Sequence, residues 1–364
     1  PEGLDLIATT GEHRLVIDIL PGSSDVTSAK LLGPGGVPLA QVSPPTGDGV
    51  SSTSATASNG GLVAIADNEV SVYINQTVTA ASAADLTITG DVTITADNQT
   101  ASTASLSNSN GGVIAVKDSN ADIEVIVTTS ASIGGVGTVG GDIWVEATGD
   151  HDLDASSDAS GGGFVDVAGA HTTIDFTPNS SADVDDAAEI RAVGDVTVQA
   201  GFDATVEGTA DAQSGGFIAD ANGDSTVKLL SSSTTVEVGD DALIAGETVA
   251  LIARPGTVLI SAETETDAGG LGVGNYNDTL ARATHTAQVT VAALAEVIGN
   301  RGVDIRAVYR DFDVDATGDG DTDALFAYTR VDVEADAGDV KAAVVGVDEA
   351  RVTASPRITG TPLR

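Results

Sequence analysis

The chain has no cysteine and no methionine, and only one tryptophan, four tyrosines and six phenylalanines among 364 residues. Without cysteine there is no disulfide framework, no thiolate metal site and no cysteine nucleophile. Positive charge is scarce too. Fifteen Lys and Arg stand against 54 Asp and Glu, a formal net charge of −39 at pH 7. A surface of that sign repels phosphate backbones, so nucleic acid is excluded as a partner. No apolar run approaches the ~18–20 residues of a membrane-spanning helix. The sequence starts at Pro1 without a signal-peptide pattern, which suggests a processed product or an excised segment.

High charge and few aromatics are also marks of disorder. Against that reading, Val, Ile, Leu and Phe make up roughly a quarter of the chain, above the ~20% typical of disordered sequences. Their arrangement decides the matter, because it is periodic. Gly60-Gly61-Leu62 returns as Gly111-Gly112-Val113, Gly162-Gly163-Phe164, Gly215-Gly216-Phe217 and Gly269-Gly270-Leu271, with a degenerate sixth copy at Leu325-Phe326. A second feature keeps the same step. Gly90-Asp91-Val92-Thr93-Ile94-Thr95-Ala96 recurs at Gly141 to Ala147 and Gly194 to Ala200, then without its leading Gly-Asp at Val249 to Ala253 and Val303 to Ala307. Aligned, it yields apolar columns such as Ile94, Val145, Val198, Leu251 and Ile305. Mostly polar residues stand between the columns, the period-2 alternation of a strand with one buried face. A third column pair runs Val72/Ile74, Ile123/Val125, Ile174/Phe176 and Val227/Leu229, fading to Ala281/Ala283. Each repeat also holds a tract of small residues, such as Thr100 to Ser105.

A 51–55-residue unit of short strands fits either a propeller blade or a β-solenoid. Scarce aromatics and abundant Val, Ile and Ala favour the narrow interior of a solenoid. The expected fold is therefore all-β, a parallel β-solenoid (β-helix) of about five to six 51–55-residue repeats with two coils per repeat. At ~4.8 Å per coil that makes a rod about 50–60 Å long. Residues 1–46 depart from the repeat and read as a strand-bearing cap or the remnant of a neighbouring module. They hold a strand at Leu15 to Leu20 and a link marked by Gly33-Pro34-Gly35-Gly36 and Pro44-Pro45. Residues 47–350 form the solenoid, and 351–364 a tail or linker.

At these columns the chain resembles the repeats of giant bacterial surface adhesins of the filamentous-haemagglutinin-like and leukotoxin-type filamentous classes. The matching segments are Gly90 to Ala96, Gly141 to Ala147 and Gly194 to Ala200, together with the Gly-Gly sites, over about residues 47–350. The resemblance implies an extracellular, non-enzymatic stalk or filament segment at the bacterial cell surface. Its partners would be neighbouring repeats of the same fibre, a second copy, or a glycan or host-cell surface.

Little in the sequence argues for chemistry. Asp313, Asp315, Asp319, Asp321 and Asp323 gather around Gly318 and Gly320, and oxygen ligands at this density could hold Ca²⁺ through Asp315, Asp319, Asp321 and Asp323. The spacing fails the EF-hand pattern, since Phe326 stands where a bidentate Glu belongs, so a solvated acidic turn is the simpler reading. Asp183, Asp185 and Asp186 form a weaker cluster. Gly135 to Gly140 matches G-x-G-x-x-G, but a strand follows it rather than the helix a dinucleotide site needs. The threonine pairs Thr87/Thr89 and Thr93/Thr95 are not kept through later copies, which argues against an ice-binding ladder. His13, His151, His171 and His285 share no metal or triad spacing, and His151 beside Asp152 and Asp154 reads as a surface turn residue. No catalytic set or cofactor site emerges beyond the calcium candidate. Tyr276, Tyr309, Phe312, Phe326 and Tyr328 concentrate the aromatics in the last third. A wider section of the solenoid, a lateral contact or a ligand patch would each place them there. A binding face would differ from a spacer by an exposed pattern repeated on consecutive coils, and beyond Thr, Ser and Asp the sequence displays none.

Overall fold

The computed structural model describes residues 14–19, 26–32, 38–42, 49–337, 340–346, 351–353 and 356–359. The Gly33–Gly36 and Pro44-Pro45 links and His13 lie outside them. Among the described residues there are eighteen strands, hydrogen-bonded into one sheet, and no helix. The chain opens with β1 (Arg14–Ile19), β2 (Val26–Leu32) and β3 (Pro38–Val42), then β4 (Gly49–Ser82) and β5 (Leu86–Ile88). There follow β6 (Val92–Ile133), β7 (Val136–Val139), β8 (Ile143–Val184), β9 (Glu189–Ala192), β10 (Val196–Ala200) and β11 (Asp203–Val238). β12 (Leu243–Ala253), β13 (Thr257–Val291), β14 (Glu296–Ala307) and β15 (Asp311–Asp336) continue the series. β16 (Val340–Val345), β17 (Arg351–Thr353) and β18 (Pro356–Thr359) end it.

The long strands pair parallel and in register, as a β-solenoid requires. Ile94 lies beside Val145, Val145 beside Val198, Val198 beside Leu251, and Leu251 beside Ile305. The third column pair stacks likewise, Ile123 on Ile174 on Val227 on Ala281. The sixth copy is real: Phe326 of β15 pairs with Gly272. At the start of the chain, Ile17 of β1 pairs parallel with Ile94, while β1–β2 and β2–β3 are antiparallel. At the end, β17 and β18 pair with β14, so Arg351–Thr353 and Pro356–Thr359 extend the sheet where a tail was expected.

The coil count needs correcting. Direct partners are one whole repeat apart, Val92 with Ile143 and Val196 with Val249. Each repeat is thus a single coil, not two of about 25 residues. Six long rungs at ~4.8 Å rise about 25–30 Å, half the expected rod length. The residues go instead into width. A 42-residue strand such as β6 doubles back at Gly111-Gly112. The amide nitrogen (Nδ2) of Asn110 donates to the Val116 carbonyl at 3.0 Å and that of Asn108 to the Asp118 carbonyl at 3.2 Å, so the two arms face each other. Each arm of about 19 residues spans roughly 60 Å. The molecule is a flat, stacked ribbon of paired arms.

Three core regions lie along this cross-section. At the end away from the bend, the arm bases and the short strands β5, β7 and β9 close a triangle filled by Ile94, Ile133, Ile143, Ile190 and Leu251. The middle holds Leu106, Ile123, Phe176, Val206 and Leu229. Towards the bend the arms carry almost only alanine: Ala159, Ala168, Ala170, Ala210 and Ala221. Small residues let the arms approach closely there. Gly135, at φ 77°, opens the turn before β7, so the G-x-G-x-x-G run is a solenoid corner followed by a strand.

Candidate functional site

Alternation aims each acidic candidate outward. Asp315, Asp319, Asp321 and Asp323 lie on one exposed face of β15. Outward side chains two residues apart on a strand are separated by about 6.5–7 Å, so these carboxylates form a row rather than a cage. Across the sheet the row continues. Asp319 pairs with Glu265, Glu265 with Asp211, and Asp211 with Asp158. Burial, reinforced by the neighbouring Asp158 charge, raises the Asp211 carboxyl above its usual range. Among the described residues no three His, Asp or Glu side chains converge into a group that could hold a metal. In the second cluster, burial pushes Asp183 up to about 6.

His151 corrects the sequence reading. It is an inward residue, 2% exposed, with its ring 5.2 Å from Phe176 and 6.2 Å from Phe202. His285 is buried as well, its Nδ1 2.6 Å from the Ser232 hydroxyl and its ring 5.2 Å from Phe202 and 5.7 Å from Tyr309. Phe312 joins this internal group, whereas Tyr276 and Tyr328 pair at 5.4 Å on the outside. The late aromatics therefore belong to different places, with Phe326 in a third at the bend. Among the described histidines, His171 is the one placed for charge, 3.1 Å from Asp118, whose hydrogen bond raises its pKa.

Burial drives His151 down to about 4 and His285 to about 3, from 6.5 in the open chain. Between pH 6.5 and these values the unfolded chain binds more protons than the fold, so their stability contribution is lost as pH falls through that window. Asp183 works oppositely. Its folded pKa lies above 3.8, so the fold gains stability as pH drops from 6 towards 4. Substitution separates the two. Wild-type protein taken from pH 7 to pH 4.5 is expected to lose about 2–3 kcal/mol more than H151T, a residue its own column already carries at Thr100. Urea unfolding at the two pH values checks this, and equal losses would contradict it.

One buried ion pair lies near the bend. The Lys117 ammonium is 2.8 Å from Asp166 Oδ1, and both side chains are fully enclosed. Asp166 Oδ2 accepts from the Ser214 hydroxyl at 2.9 Å and the Gly215 N–H at 3.0 Å. A Cβ on Gly161 would stand 2.6 Å from the Lys117 nitrogen, so the absent side chain there makes the ammonium's seat. The site is sealed and its groups satisfy one another, which suits structure rather than turnover.

The bend itself holds what the sequence reading missed. An apolar residue follows each Gly-Gly. In the fold it sits at the apex and points out. Leu62, Val113, Phe164, Phe217, Leu271 and Leu325 are 37–74% exposed and follow one another rung by rung. The Phe164 and Phe217 rings stack at 4.9 Å and 3°. Val63, Ile114, Ile218 and Phe326 add a second exposed column beside the first. This is an exposed pattern repeated on consecutive coils, and the sequence signal for it was the turn-forming Gly-Gly itself.

No known family pattern, curated protein or solved structure matches this chain.

Proposed function

We propose that the chain is a non-enzymatic structural segment, a stalk or filament region of a large extracellular protein of the bacterial surface-adhesin kind. The observation that carries this reading is the register. One column of backbone partners runs unbroken from Ile17 through Ile94, Val145, Val198, Leu251 and Ile305 to Ile358. A stack in which every rung is templated by the one before it resists bending and shear, and its stability is a nearest-neighbour sum that tolerates many repeats. The inward valines Val331 and Val333 of β15 are 42% and 44% exposed, the surface a further rung of the same kind would cover. The acidic outer faces hold neighbouring fibres apart and keep the sheet edges from pairing at random.

Antibodies raised against the purified segment test this reading on intact source cells. Surface labelling that protease treatment removes is expected. Label confined to broken cells would contradict it.

A further inference from the structure

We propose that the apolar apex of the ribbon is a self-docking surface whose partner is a second copy of this chain, paired side by side about a two-fold axis. The proposal stands on the apex geometry and does not need the stalk reading.

Charge makes the first argument. From the residue before each Gly-Gly to the second residue after the apex, the exposed side chains carry no charge until Asp323 in the sixth rung. Asp166, the other acid near the bend, is sealed inside. Two chains of net charge −39 repel over most of their surfaces, and this neutral strip is where they can approach.

Shape makes the second. Beside the column of apical knobs runs a column of glycines: Gly111, Gly162, Gly215 and Gly269. A methyl group on Gly111, Gly215 or Gly269 would find its nearest neighbour at 3.9, 3.7 and 4.0 Å, ordinary contact, and none of the three has positive φ. At these three rungs the chain's own packing therefore does not require glycine, whereas a Cβ on Gly162 would stand a tight 3.3 Å from the Gly215 carbonyl. The second glycines differ, since a Cβ on Gly163, Gly216 or Gly270 would strike backbone carbonyls at 2.6, 2.4 and 2.1 Å. The first glycines leave a bare groove alongside a ridge. Such a surface is self-complementary about a two-fold axis, the ridge of each copy lying in the groove of the other. Both strips share the ~4.8 Å rung spacing, so contacts repeat along their length.

Area makes the third. With Phe, Leu, Ile and Val exposed on six rungs, the strip offers roughly 700 Å² per copy, close to the ~800 Å² one side of a standard interface supplies. That exceeds the ~300–600 Å² patch usual on a monomer.

Sedimentation equilibrium of the whole chain at about 100 µM, in low salt and in about 0.5 M NaCl, tests the proposal. Wild type is expected to dimerise, at least several-fold more tightly in high salt, where charge repulsion is screened and apolar contact is not. F164S/F217S, which removes two exposed knobs, should weaken the dimer at least tenfold. G111T/G215T, which fills the groove, should do the same by a different route. Unchanged thermal unfolding at low concentration shows that both variants fold. A wild type monomeric in both salts would overturn the proposal. So would association that either variant leaves intact, which would mean another surface.

Discussion

Asp166→Ala is expected to cost about 3–5 kcal/mol, the penalty for leaving a buried charge without its partner. The substitution strands the Lys117 ammonium in an alanine-lined space, takes the acceptor from the Gly215 N–H and leaves Ser214 Oγ only the Asp166 main-chain carbonyl. The double variant K117A/D166A should regain most of that loss and come within about 2 kcal/mol of wild type. The columns supply the reason. Lys117 stacks between Ala66 and Ala168, and Asp166 between Ala115 and Ala219, so the double change makes both columns unbroken alanine over these rungs. Urea unfolding of the two single variants and the double closes the cycle. Additive losses would mean that the pair is not coupled as described. The pair also does what alanine cannot. Alanine columns fit one another in any register, while a single cation and a single anion on neighbouring rungs match only one.

Val198→Asp is the second large effect. Val198 lies at the middle of the longest column, fully buried between Val145 and Leu251. A carboxylate there has no partner, and the loss should exceed about 4–5 kcal/mol. In a nearest-neighbour stack, a break in a central rung uncouples the halves on either side. The neighbouring Thr197→Asp points outward between Trp144 and Ala250, and should change stability by no more than about 1 kcal/mol. Circular dichroism and urea unfolding of the pair check the alternation directly. Similar losses in both would contradict it.

Much of this architecture was legible in the sequence. The aliphatic columns named from the repeat are hydrogen-bonded neighbours in the fold, because a parallel stack places equivalent residues directly on one another. The coil count was not legible from the period, since one long coil and two short ones give the same repeat length. The distinguishing sign is the absence of Gly and Pro between Val92 and Asn110, which leaves no sharp corner at which a short coil could close. The buried polar residues were also written in phase. His151 keeps step with Val145, Ala147, Leu153 and Ala155, and Lys117 with Ala115, Ala121 and Ile123. A lysine in the inward phase requires an anion, and Asp166 stands in the inward phase one repeat later. The exposed column at the apex was not legible, because its apolar residues are flanked by strand-like sequence. Its exposure follows from the fold-back of the arms, a tertiary event that local alternation does not encode.

The claim on which the rest depends is that one repeat makes one rung. Thr93, Trp144, Thr197, Ala250 and Asp304 follow one another as direct partners across four steps. The chain has no native cysteine, so T93C/D304C can be spin-labelled cleanly and the distance read by double electron–electron resonance. One rung per repeat predicts a distribution centred near about 19 Å, broadened by the label linkers. A centre near about 38 Å would mean two coils per repeat and would contradict the account.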